Sequence, residues 1–168
     1  RIWYSDQKSI NCYNDNLVIN YNGGKYTSDI VTMVMDDYGT MWMATWRGLF
    51  FFDGENFGVN NHENGVNNFK ITNILKGKYD NLWLSAYGGV HKLKVNSFKS
   101  YPVLAGMVRK YIGGVAKDGT GGLWLSSVAI NGLVSLKDDY FQYHAFKNAH
   151  SFFLYNDSAN NLWFGGFK

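Results

Sequence analysis

The chain of 168 residues holds a single proline and a single cysteine, and only 17% of its residues are charged. One cysteine, Cys12, forms no disulfide within the chain, so cysteine usage does not separate an oxidising compartment from a reducing one. Sixteen Lys and Arg against thirteen Asp and Glu give a formal charge of +3. These are scattered without a basic block, which sets nucleic acid aside as a partner. No apolar run approaches the roughly 20 residues of a membrane helix, so no direct membrane insertion by this segment is expected. The first residues, Arg1-Ile2-Trp3-Tyr4, carry neither an initiator Met nor a signal peptide, as if cut from a longer protein.

Aromatic residues make up 18% of the chain and there are 19 glycines, a composition that favours packed strands joined by tight turns. Five of the six tryptophans, Trp3, Trp42, Trp83, Trp124 and Trp163, recur in steps of 39, 41, 41 and 39 residues. A period near 40 without helical apolar spacing is the length of a β-propeller blade, four antiparallel strands. Twelve residues before the Trp stand Ile30, Ile71, Ile112 and Ser151, and Gly48, Gly89 and Gly132 precede an apolar residue in the strand after it.

Within one unit the spacing predicts strand a at 30–35, strand b at 41–45, strand c at 49–52 and strand d around Phe57. Met41-Trp42-Met43-Ala44 and Leu49-Phe50-Phe51-Phe52 are apolar at both parities, as a sheet covered on both faces requires. The fold class is therefore all-β. It comprises a partial blade at 1–21, blades at 30–60, 71–101 and 112–143, and a partial blade at 151–168. Closing these into a ring leaves one strand surplus, so an incomplete arc of a larger propeller is the preferred architecture. An open arc exposes apolar faces, from which poor solubility or self-association follows.

Three positions before the Trp stand Gly39, Asp80, Gly121 and Asn160, residue types that accept positive φ cheaply. Six positions before it, Asp36, Asp118 and Asp157 are placed to accept hydrogen bonds from the amides of the a-to-b turn. The second unit departs from this, with Lys76-Gly77-Lys78 in place of the acidic start. Repetition at three of the four turns makes these aspartates structural rather than metal ligands or acids.

The segments Met35 to Thr45, Lys117 to Ser126 and Asn156 to Gly165, together with Gly48-Leu49 and Phe52-Asp53-Gly54, resemble the two-component regulator propeller repeat. The resemblance covers almost the whole chain. It implies a propeller of about seven blades, outside the inner membrane of a bacterium and upstream of a membrane helix and a kinase. It further implies a periplasmic sensor that binds an oligosaccharide-like ligand, and such a segment would also meet the remaining blades and a second protomer.

Antiparallel order puts the b-to-c and d-to-a loops at one end of each sheet, where recognition is expected. The b-to-c loops offer Trp46, Arg47, Tyr87 and an insertion from Val128 to Asn131. His62, Asn64, Arg109 and His144 belong to the d-to-a loops. Flat aromatic surface and a forked cation suit a saccharide, which makes Trp46 with Arg47 the best local candidate. The plainer alternative has Trp46 packing on a neighbouring blade and Arg47 as a solvated charge.

No catalytic residue, metal or cofactor is expected. The four histidines lack ligand spacing, Cys12 lacks a nucleophile motif, and Gly119 to Gly122 lacks the Lys-Ser/Thr of a phosphate loop. A carbohydrate-active propeller enzyme and a protein-interaction scaffold stand as the alternative functions.

Overall fold

A computed structural model of the chain describes residues 1–6, 8–60, 70–77, 81–94, 97–102, 112–128, 130–146 and 150–167. They divide into two units, Arg1–Ile71 and Thr72–Lys168. In the first, β1 (Ile2–Ser5), β2 (Ser9–Asn14) and β3 (Leu17–Asn22) form a three-stranded antiparallel sheet. A four-stranded sheet follows, made of β4 (Ile30–Met35), β5 (Met41–Thr45), β6 (Gly48–Phe52) and β7 (Phe57–Val59).

The second unit carries two more four-stranded sheets. One consists of β8 (Ile71–Lys76, starting at the unit boundary), β9 (Leu82–Ala86), β10 (Gly89–Lys94) and β11 (Ser97–Pro102). The next consists of β12 (Gly114–Lys117), β13 (Leu123–Ser126), β14 (Gly132–Lys137) and β15 (Tyr140–Ala145). A two-stranded sheet, β16 (His150–Asn156) and β17 (Leu162–Phe167), ends the chain. In every sheet, strands adjacent in sequence are adjacent in space. Among the described residues one short helical turn, Gly24–Tyr26, is present, and no helix is long and apolar enough to cross a membrane.

The double-sided apolar pattern has a direct structural cause. In β5, β9 and β13 the residues flanking the Trp are buried and the Trp itself is half-buried. The flanking pair and the indole lie on opposite faces of their sheet. Trp3 packs against the cluster containing Met41, Met43 and Phe52, while Trp83 packs against Leu123, Leu125 and Val134. Trp124 packs against the cluster containing Leu154, with Leu162 beside it. Each of these three indoles thus covers the face of the sheet that follows it. Fully burying a side chain such as Met43 or Leu84 contributes about 1.5–3 kcal/mol, so these contacts form the principal core. Trp163 differs, being 59% exposed, and Trp42 lies against Phe51 of its own sheet.

The turns before the tryptophans carry more than the sequence suggests. Asp36 Oδ1 accepts the amides of Tyr38 and Thr40, as an Asx turn requires, while its Oδ2 accepts the Trp42 indole N–H at 2.8 Å. Asp118 does the same for Thr120, Gly122 and Trp124, and Asp157 for Ala159, Asn161 and Trp163. One carboxylate therefore shapes the hairpin and orients the indole. Gly39 (φ 87°), Gly121 (φ 92°) and Asn160 (φ 64°) take the left-handed conformation expected of them, whereas Asp80 lies outside the described residues.

Candidate functional site

The b-to-c turn of the first complete sheet is a two-residue hairpin. Thr45 and Gly48 pair across it, Thr45 Oγ1 accepts the Arg47 N–H at 2.9 Å, and the same hydroxyl donates to the Gly48 carbonyl at 3.0 Å. Thr45 is buried, so the turn is locked from below while Trp46 and Arg47 stand clear of it. Trp46 is 61% exposed.

Arg47 Nη2 lies 3.3 Å from Asp29 Oδ2, a residue held at φ 62° just before β4. Lys70 Nζ lies 6.0 Å from the centre of the Trp46 ring. The first unit therefore gathers an open indole, a guanidinium and an ammonium at its loop end. An exposed ion pair such as Arg47–Asp29 contributes only about 0–1 kcal/mol, so a ligand's hydroxyl pair or carboxylate competes for the guanidinium at little cost.

Neither Asp29 nor Lys70 is marked in the sequence: both sit in d-to-a connections, where the repeat leaves no register. Tyr87 occupies the b-to-c turn between β9 and β10 and is exposed. In the insertion between β13 and β14, the Asn131 carbonyl accepts the Tyr143 hydroxyl at 2.8 Å and the Phe146 amide at 2.9 Å, which pins the loop to the outer strand.

His144 requires a correction, since it lies within β15 and not in a d-to-a loop. Its ring centre lies 4.7 Å from that of Trp124 and its Nε2 lies 2.9 Å from Ser135 Oγ, so the half-buried imidazole completes the sheet face. His62, Asn64 and Arg109 lie outside the described residues. Among the described residues no group of three His, Cys, Asp or Glu side chains is placed to hold a metal ion, and the Cys12 thiol is buried.

The sheets, their meander order and the indole packing are those of β-propeller blades. No protein-family model matches the sequence, and no curated protein matches it. Solved structures do. The extracellular domain of the proposed hybrid two component system BT3049 from B. thetaiotaomicron superposes with a TM-score of 0.74 at 15% identity, over 96% of this chain and 24% of that one. The extracellular domain of the proposed one component system BT4673 from the same organism gives 0.75 at 17% identity, over 97% and 24%. A streptogramin B lyase gives 0.74 at 11% identity, over 96% of this chain and 57% of the lyase. The chain thus spans about a quarter of the length of the two extracellular domains it resembles. At these identities the likeness establishes the fold.

Proposed function

We propose that the chain is a ligand-sensing propeller segment of a two-component signalling receptor, exposed outside the cytoplasmic membrane, with the kinase domain elsewhere in the receptor. The ligand is an oligosaccharide, held at the b-to-c and d-to-a end of the blades. The observation that carries the reading is the open Trp46 indole beside the Arg47 guanidinium on a rigid two-residue turn. An indole face takes the C–H face of a sugar ring, and a guanidinium takes paired hydroxyls or a carboxylate. Likeness to extracellular domains of two-component systems supports the sensing role over catalysis, although a lyase shares the fold.

The test is calorimetric titration of the intact receptor ectodomain with a library of polysaccharide breakdown products. A saturable ligand is expected, and the double variant Trp46→Ala, Arg47→Ala should weaken it at least tenfold. Undiminished affinity removes the pair from the site, and silence across the library leaves an interaction scaffold as the surviving alternative.

A further inference from the structure

In the complete blade that lacks the turn aspartate, the tryptophan lines a cavity. Gly77 stands where Asp36 and Asp118 stand in the other complete blades. A Cβ added at Gly77 would lie 3.1 Å from the Trp83 Nε1 atom, so the indole N–H edge faces the place that the carboxylate fills elsewhere. Around it a cleft of about 490 Å³ opens between the β8–β11 and β12–β15 sheets, lined by Trp83, Lys92, Tyr101 and Lys137 among others. A second hollow of about 200 Å³ shares Trp83 and Lys92 with it and adds Gly77 and Lys117. The combined space falls in the range that holds small ligands. It lies at the hairpin end of these two sheets, away from their b-to-c turns.

The charge of the cleft follows from which groups are already engaged. Asp139 is taken by Lys99 at 2.5 Å and by the Tyr101 hydroxyl at 2.7 Å, and these partners hold its carboxyl below the usual range. Asp118 is spent on Trp124 and its own turn. Lys92, whose ammonium lies 5.2 Å from the Trp83 ring centre, and Lys117 and Lys137 form no ion pair among the described residues. Asp138 is the remaining carboxylate on the lining. Lys92 thus lines both hollows, with Lys137 in the larger and Lys117 in the smaller, and the Trp83 indole lies between them, while Asp138 and the already engaged Asp139 are the carboxylates on the lining.

We propose that this cleft binds a small ligand bearing an oxyanion, met by Lys92, Lys117 and Lys137 with the Trp83 indole N–H, any ring it carries lying on the Trp83 and Tyr101 side. Replacing the aspartate by Gly77 creates the site twice over, by removing a negative charge and by uncovering a donor. The inference is independent of the Trp46 and Arg47 reading.

Equilibrium dialysis of the full 168-residue chain against labelled sulfate, phosphate and D-glucuronate, each in excess potassium chloride, tests it. Saturable binding of at least one anion is expected. Gly77→Asp and the double variant Lys117→Met, Lys137→Met should each weaken it at least tenfold, whereas Trp46→Ala, Arg47→Ala should leave it unchanged. Binding of glucuronate alone would identify a carboxylate-bearing ring; binding of all three would identify the oxyanion as the recognised group. Absence of saturable binding overturns the proposal. Affinity that survives loss of both lysines in Lys117→Met, Lys137→Met also overturns it, and that variant carries the test should Gly77→Asp not fold.

Discussion

At the scale of the residue, the repeated aspartate does two things that a turn residue alone would not. Asp118 Oδ1 accepts the Thr120 and Gly122 amides and Oδ2 fixes the Trp124 indole, so removing it unsatisfies the hairpin and frees the ring together. Hydrogen bonds to a charged group contribute about 1.5–3 kcal/mol, and Asp118→Ala should cost an amount in that range in urea unfolding. Asp118→Asn, which keeps an acceptor oxygen, should recover part of the loss. The Trp163 indole, followed by the Asn161 side chain, holds the Asp157 carboxyl down to about 2. A carboxylate so depressed stabilises the native state at neutral pH and loses that contribution only as pH falls from its ordinary value towards 2.

His91 sets a different window. It is buried on β10, and burial lowers its pKa to about 4, so the native state keeps it neutral where the unfolded chain binds a proton. Stability should therefore fall as pH drops from about 6.5 to about 4, by about 2–3 kcal/mol in total. Urea titrations of wild type and His91→Leu across that interval should show a flatter dependence in the variant; equal slopes would remove His91 as the cause.

At the scale of the element, legibility in the sequence tracked how firmly packing constrains each strand. β4 and β5 run over the residues that the Trp register marks; in β5 four of the five residues are buried, which fixes the apolar pattern there, while β4 follows as its hairpin partner. The outermost strand of each blade is less constrained. β15 is exposed except at the half-buried Phe141 and His144, so its apolar signal is weak, and His144 reads as loop although it continues the strand. The Asp–Trp bond was hidden for a different reason: a spacing of six shows in the sequence, but only the hairpin's fold-back brings carboxylate and indole together. Lys92, Lys117 and Lys137 lie apart along the chain and come to line adjoining hollows only through the packing of two sheets.

The same packing separates tryptophans that look equivalent in sequence. Trp124 lies against the next sheet, so Trp124→Ala should cost about 3 kcal/mol, whereas the exposed Trp163→Ala should cost about 0.5–1 kcal/mol, chiefly its bond to Asp157. Equal losses in thermal unfolding would contradict the role of the indole as a cover for the following sheet. Gly132 marks another fixed point, with φ 157° and no room for a side chain, since a Cβ added there would run into the His144 carbonyl oxygen. Backbone, not a flexible side chain, blocks that position. Gly132→Ala should therefore destabilise by on the order of 3 kcal/mol, measured by the same denaturation.

At the scale of the whole molecule, the first sheet leaves a row of apolar side chains open. Ile2, Tyr13 and Val18 form one row across β1, β2 and β3 on the face opposite Trp3, and Ile2 and Val18 are 64% and 57% exposed. The same face carries a polar group in which Asn11, buried, bonds with Ser9, Asp6 and Asn20. Among the described residues β1 pairs only with β2, and β17 only with β16, so each offers an edge of backbone donors and acceptors. Contiguous apolar surface beside an unpaired edge favours association between chains. Light scattering on the isolated 168-residue chain should accordingly show mass rising with concentration. Val18→Lys, which sets a charge in the middle of the apolar row without touching the buried Asn11 group, should shift the distribution towards monomer. A monodisperse monomer in the unmodified chain would mean that these faces are poorer association surfaces than their exposure implies.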